Sequence, residues 1–173
     1  MKRFLFIISI IATALLSCNI FSSPAIGEIG NVENVASDDA LMNSAIQRAQ
    51  ETLPLFIVAF QSPKPTQTYF SIKAKFPYGD AGAAEHIWLG DISFTEEKFE
   101  GVLENEPIYI HNLKIGERIT VKITDVTDWM IIDGEQLVGG FTIHVLRNQM
   151  TEKERYQFDN EFGVAIPDTP TLP

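Results

Sequence analysis

The chain reads as an α+β protein: an N-terminal helix, a mainly antiparallel twisted sheet of five to seven short strands, and a C-terminal helix. Three observations predict it. Apolar residues recur at helical spacing between Leu41 and Leu53, and a helix-capping signature stands at Thr151. Between these, short segments alternate apolar and polar residues with a period of two. The connections are of hairpin length, which antiparallel strands can use and parallel strands cannot. Helices confined to the ends of the chain then cover the sheet instead of alternating with its strands.

The first 17 residues form a separate unit. Lys2 and Arg3 give a basic start, and Phe4 to Leu16 is apolar but short for a membrane span, so residues 1–17 read as a signal peptide. Ser17 then precedes Cys18, the only cysteine in the chain. This arrangement resembles a bacterial lipobox, in which the thiol is lipidated and the cysteine becomes the mature N-terminus. The alternative is an ordinary secretory peptide cut near Ser23-Pro24-Ala25, giving a secreted or periplasmic soluble protein. Lipidation is preferred because the lone cysteine is then explained. Residues 18–36 are small, polar and glycine-containing, as suits a tether.

Residues 37–162 are expected to form the folded domain. Ser37 can cap a helix whose first turn gains from Asp38 and Asp39 at its positive end. Leu41, Met42, Ala45, Ile46, Ala49 and Leu53 make its apolar stripe, and Pro54 either kinks it or starts a second short helix. Phe70, Ile72, Ala74 and Phe76 alternate with polar residues on the first strand. His86 to Phe94 and Lys98 to Leu103 read as a hairpin, with a brief strand at Tyr109 and Ile110. Ile119, Val121 and Ile123 alternate on the next strand. Trp129–Ile132 and Gln136–Val138 flank Asp133-Gly134, a hairpin signal. Phe141, Ile143 and Val145 alternate on an expected last strand. Thr151 and Glu154 have capping-box spacing for the final helix, and Gly163 can end it. Residues 163–173, with three prolines, read as an extended tail.

Composition narrows the function classes. With 45% hydrophobic and 21% charged residues the chain is globular. The net charge of −10 disfavours nucleic acid and anionic lipid headgroups as partners. Without a second cysteine, no intramolecular disulfide can form.

The central block carries a family resemblance. It lies in Glu85-His86-Ile87-Trp88, in Gly101 to Pro107 and in Leu113 to Glu117. It continues in Asp125 to Met130 and in Gly139 to Ile143, an ordered set covering roughly residues 70–147. In these residues the chain resembles the YegJ-like bacterial family, a domain of unknown function. The resemblance implies a shared fold and supplies no catalytic residues.

Individual motifs point to a low-chemistry surface. Trp88 and Trp129 are first of all core aromatics; Trp129, beside Asp128, alternatively lines a cleft. Asp125 and Asp128 are either paired acids or side chains closing a turn. Of the three histidines, His86 has the most suggestive neighbours, Glu85 and Trp88, and no histidine pair has metal-ligand spacing. Glu104 and Glu106 flank Asn105, either at a polar pocket or on a solvated edge. Gly79 to Gly82 lacks the lysine and hydroxyl of a phosphate loop, and Gly139-Gly140 marks a bulge or a close approach of two backbones.

His86, Trp88, Glu106, Asp128 and Trp129 are therefore the candidate cleft, and Cys18 the candidate lipidation site. The preferred reading is a non-catalytic interaction or ligand-binding module held at the cell envelope by a lipid on Cys18. Its partner would be an envelope protein or a small ligand, and no cofactor is called for. The alternative is a small hydrolase-like enzyme using Asp128, Glu106 and His86. The two differ in whether those three side chains converge.

Overall fold

The computed structural model describes residues 40–79 and 82–173; the signal segment, Cys18, the tether and the Ser37 cap lie outside the described residues. Helix α1 (Ala40–Gln61) is followed by strands β1 (Gln67–Tyr78), β2 (Ala83–Thr95), β3 (Lys98–Leu103) and β4 (Arg118–Lys122). A single 3-10 turn at Ile123–Asp125 leads into β5 (Val126–Asp133) and β6 (Gln136–Gly139), then helices α2 (Phe141–Gln149) and α3 (Glu152–Phe162). Among the described residues the six strands form one sheet of order β4-β3-β2-β1-β5-β6, with every pairing antiparallel. The class is α+β, as expected.

Helix α1 runs unbroken through Pro54. Pro54 sits on the exposed side, where water can satisfy the carbonyl that proline leaves unbonded. Ala45, Ala49, Leu53 and Phe56 face the sheet, whereas Leu41, counted in the apolar stripe, is 65% exposed. The main core lies between this face and Ile72, Ala74, Leu89, Phe99, Trp129 and Ile131. Phe56 is its hub, with ring contacts to Phe60, Phe70, Phe99 and Trp129 at centroid separations of 5.4–6.2 Å. The opposite face of the sheet packs Trp88 and Met130 with Phe158 of α3 and Ile166 of the tail. Residues 126–131 of β5 are consequently buried on both faces, as the apolar run after Asp128 suggests.

Two expected strands are absent. Tyr109 and Ile110 lie in the connection between β3 and β4. Phe141, Ile143 and Val145 belong to helix α2. All of Phe141, Thr142, Ile143 and His144 are buried, so the period-two alternation there does not separate an inner from an outer face. Phe141 and Val145, four apart, pack on the α1 side, while Ile143 packs on the other. Gly139 and Gly140, at φ of 77° and 64°, turn the chain out of β6 and into this helix.

The C-terminal signals behave as read. Thr151 and Glu154 form a reciprocal capping box, and Gly163 ends α3 in the left-handed conformation at φ 78°. The tail beyond it is extended and lies along β6. Leu137 N–H donates to the Ala165 carbonyl, Ala165 N–H to that of Glu135, and Gly139 N–H to that of Thr171. Gln136 and Ala165 make a parallel bridge.

Candidate functional site

A row of three side chains crosses the sheet on the face away from α1. Trp88 of β2, Lys73 of β1 and Asp128 of β5 are direct cross-strand partners. Lys73 Nζ lies 5.5 Å from the centre of the Trp88 ring and 3.3 Å from Thr142 Oγ1 at the start of α2. Lys73 looks in the sequence like a solvated residue on an alternating strand. Only the pairing of β1 with both β2 and β5 brings it between an aromatic face and a buried acid.

Asp128 is fully buried. It sits inside β5, not in a turn, and Asp125 lies in the 3-10 turn that precedes the strand. Its Oδ1 accepts from the backbone N–H groups of Trp129 (2.8 Å) and Phe141 (3.1 Å). Oδ2 accepts from Thr142 N–H (2.7 Å) and Thr142 Oγ1 (2.6 Å). Gly140, in the N-cap position of α2, offers no side-chain cap. Asp128 supplies that cap from a neighbouring strand and places negative charge at the positive end of the helix. Burial raises its pKa, against the Thr142 hydroxyl and the Lys73 charge. Burial likewise lowers the pKa of Lys73, with Asp128 opposing the shift.

His86 stands one step along the same face, directly opposite Lys75. Its Nδ1 lies 2.9 Å from the hydroxyl of Thr127, itself only 2% exposed. That hydroxyl donates to the Lys73 carbonyl at 3.3 Å. The Thr127 hydroxyl thus stands between the ring and the backbone of β1. Desolvation of the ring, reinforced by the charges of Lys73 and Lys75, lowers the His86 pKa to about 4. The imidazole is therefore neutral at pH 7, although the residue reaches solvent.

The other two candidates lie elsewhere. Trp129 projects into the α1 core, fully buried, and its Nε1 donates to the Ala49 carbonyl at 3.0 Å and to Thr52 Oγ1 at 3.2 Å. It is a packing anchor. Glu106 is exposed in the β3–β4 connection, where its carboxylate accepts from Ile115 N–H at 3.4 Å. In the same connection Glu85 accepts from the N–H groups of Ile108 (2.7 Å) and Tyr109 (3.0 Å), and the Tyr78 and Tyr109 rings stack at 4.6 Å.

Glu104, in contrast, folds over the sheet. Tyr69 Oη donates to one of its carboxylate oxygens, and Ser71 Oγ lies 3.3 Å from the other. Gly90 makes room: a Cβ there would stand 2.0 Å from Glu104 Oε1 and 3.0 Å from Tyr69 Oη. Burial raises the pKa of both Glu104 and Tyr69. Among the described residues no group of three or more His, Cys, Asp or Glu is arranged to hold a metal ion, and no helix is long and apolar enough to cross a membrane.

Comparison with known proteins adds a family. The model of a family described as an uncharacterized protein conserved in bacteria (DUF2314) matches residues 39–166. A Neisseria meningitidis serogroup B protein described as a putative ankyrin repeat protein is 33% identical over 140 residues. The match takes in 78% of this chain and 55% of that protein, so the chain spans just over half of that relative. The uncharacterized protein YegJ of Escherichia coli K12 is 31% identical over 133 residues, which are 76% of this chain and 84% of YegJ. No solved structure matches. The chain belongs to the DUF2314 family of YegJ-like bacterial proteins.

Proposed function

We propose that the mature protein is an envelope-tethered, non-catalytic binding module. The observation that carries the reading is the state of Asp128. A hydrolase would need this carboxylate as an acid or base, yet both of its oxygens are occupied by donors that fasten α2 to β5. Glu106, the second acid of the enzyme reading, holds a surface connection instead. His86 has its basicity depressed by burial and by the charges of Lys73 and Lys75, which ill suits a general base at neutral pH. The polar groups of the site thus brace a surface.

The tether is argued from the lipobox-like segment ending at Cys18. A lipid there holds the domain at a membrane without a basic patch, as an acidic chain requires. Mass spectrometry of the mature N-terminus tests the tether. Acylated Cys18 is expected, and an unmodified chain beginning after Ala25 in the soluble fraction would remove it. Photo-crosslinking from position 109 in the native envelope tests the binding role. A discrete adduct is expected; its absence, together with hydrolytic turnover lost in Asp128→Asn, would favour the enzyme instead.

A further inference from the structure

The two borders of the sheet differ. At β6 the tail closes the ladder, with Leu137 and Gly139 N–H groups bonded to it and Gln136 bridged to Ala165. β4 stands at the other border, and among the described residues its strand partner is β3 alone. The register tells which of its backbone groups are already used. Leu103 N–H donates to the Glu117 carbonyl and Ile123 N–H to that of Glu97, one at each end of the same ladder. Bonded and non-bonded pairs alternate along an antiparallel ladder, so Ile119 and Val121 also bond to β3. Arg118, Thr120 and Lys122 then turn their N–H and C=O groups outward, and all three residues are exposed.

The two sides of this border are chemically distinct. Val121 is buried in the α1 core, and Ile119 and Ile123 pack against it, so one side of β4 is an apolar row. The other side carries the side chains of Arg118, Thr120 and Lys122. Arg118 is paired with Asp91 and reaches Glu100 at 3.8 Å. Lys122 lies directly opposite Lys98, a like-charge pairing that is unfavourable in a sheet. Among the described residues neither lysine makes an ion pair, although Glu96, Glu97 and Asp125 are close in the chain. We propose that β4 is a docking edge that takes an extended protein segment of alternating apolar and acidic residues as an added strand. Main-chain bonds to Arg118, Thr120 and Lys122 hold the segment, and its side chains set the preference. Its apolar residues lengthen the row of Ile119 and Val121, and a carboxylate comes beside Lys122 and Lys98. A second copy of this chain fits less well. Pairing β4 with β4 so that all three outward residues are used sets Arg118 opposite Lys122 twice. The inference rests on the binding-module reading and gives that module a surface and a partner class.

The test uses the purified mature protein labelled with nitrogen-15 and synthetic peptides that alternate valine with glutamate or valine with lysine. In the protein alone the amides of Arg118, Thr120 and Lys122 should exchange rapidly, and those of Ile119 and Val121 slowly. A protected Thr120 amide without peptide, or sedimentation as a dimer, would overturn the proposal. The valine–glutamate peptide should protect the three outward amides saturably, and the valine–lysine peptide should bind at least tenfold more weakly. Thr120→Pro removes an outward donor and leaves the bonds to β3 in place, so it should weaken binding at least tenfold. Lys122→Glu, which does not depend on how well proline fits the strand, should reverse the preference between the peptides. Binding unchanged in both variants, or protection confined to another part of the sheet, would overturn the proposal. The photo-crosslink from position 109 separates this edge from the module reading. An envelope adduct undiminished in Thr120→Pro would remove the edge and keep the module, whereas β4 protection by peptide with no envelope adduct would fail the module reading alone.

Discussion

Replacing Asp128 tests whether this acid is structural. Asn has nearly the same shape, but its amide nitrogen cannot accept. Whichever way the amide turns, the nitrogen faces either the N–H groups of Trp129 and Phe141 or those of Thr142. At least one buried backbone donor is orphaned, at about 1–3 kcal/mol each. Lys73, half-buried beside it, also loses a nearby opposing charge. The two effects share atoms and do not add. Asp128→Asn is therefore expected to lose about 1–3 kcal/mol, and Asp128→Ala, which orphans both sets of donors, about 3–5 kcal/mol, of a stability that is about 5–15 kcal/mol for a typical domain. Urea unfolding followed by circular dichroism at pH 7 reads the change. Adding Lys73→Met to Asp128→Asn should recover part of it, because a half-buried cation left without its opposing charge is removed. An Asp128→Asn protein within about 0.5 kcal/mol of wild type would refute the capping role.

Trp129→Ala should cost about 3–5 kcal/mol, since the ring fills the α1 core; in a Trp88→Phe background, Trp129 fluorescence freely quenched by iodide would contradict its burial. His86 gives a pH signature. Its folded pKa of about 4 lies below the ordinary 6.5, so between these values the unfolded chain binds more protons. Its contribution to stability is complete above about pH 6.5 and declines as pH falls towards 4. His86→Gln should flatten that part of the profile, read from urea midpoints at pH 7 and pH 4.5; an identical slope in the variant would show that another group is responsible.

What the sequence made legible follows from how local each signal is. The Thr151–Glu154 box, the Gly163 stop and the Asp133-Gly134 turn each need a few consecutive residues, and each stands in the structure. Phe141 to Val145 reads as a strand in the sequence and is a helix, because five residues fit both periods; the deciding influence is Asp128, thirteen positions away, which holds the start of α2. Gly139 was readable as a close approach, and a Cβ there would lie 2.4 Å from the Trp129 ring. Of the five cleft candidates, Trp88, Asp128 and His86 gather around Lys73, whereas Trp129 points to the other face and Glu106 lies in a surface connection. Lys73 went unnoticed because its environment is made entirely by strand pairing. Glu104 is legible as a polar-pocket alternative beside Glu106, but its partners Tyr69 and Ser71 and the space at Gly90 come only from strand pairing.

The docking of the tail along β6 also orders events in time. The N–H groups of Leu137 and Gly139 find their acceptors in Ala165 and Thr171, which follow every strand of the sheet in the chain. Until those residues emerge, the sheet has an open border able to pair with a neighbouring chain. Closure of that border thus waits for residues 165–171, and a chain cut before Ala165 keeps it open. A stop codon directly after Gly163, sparing every residue of the polar face, would consequently act through self-association and not through the loss of a binding group.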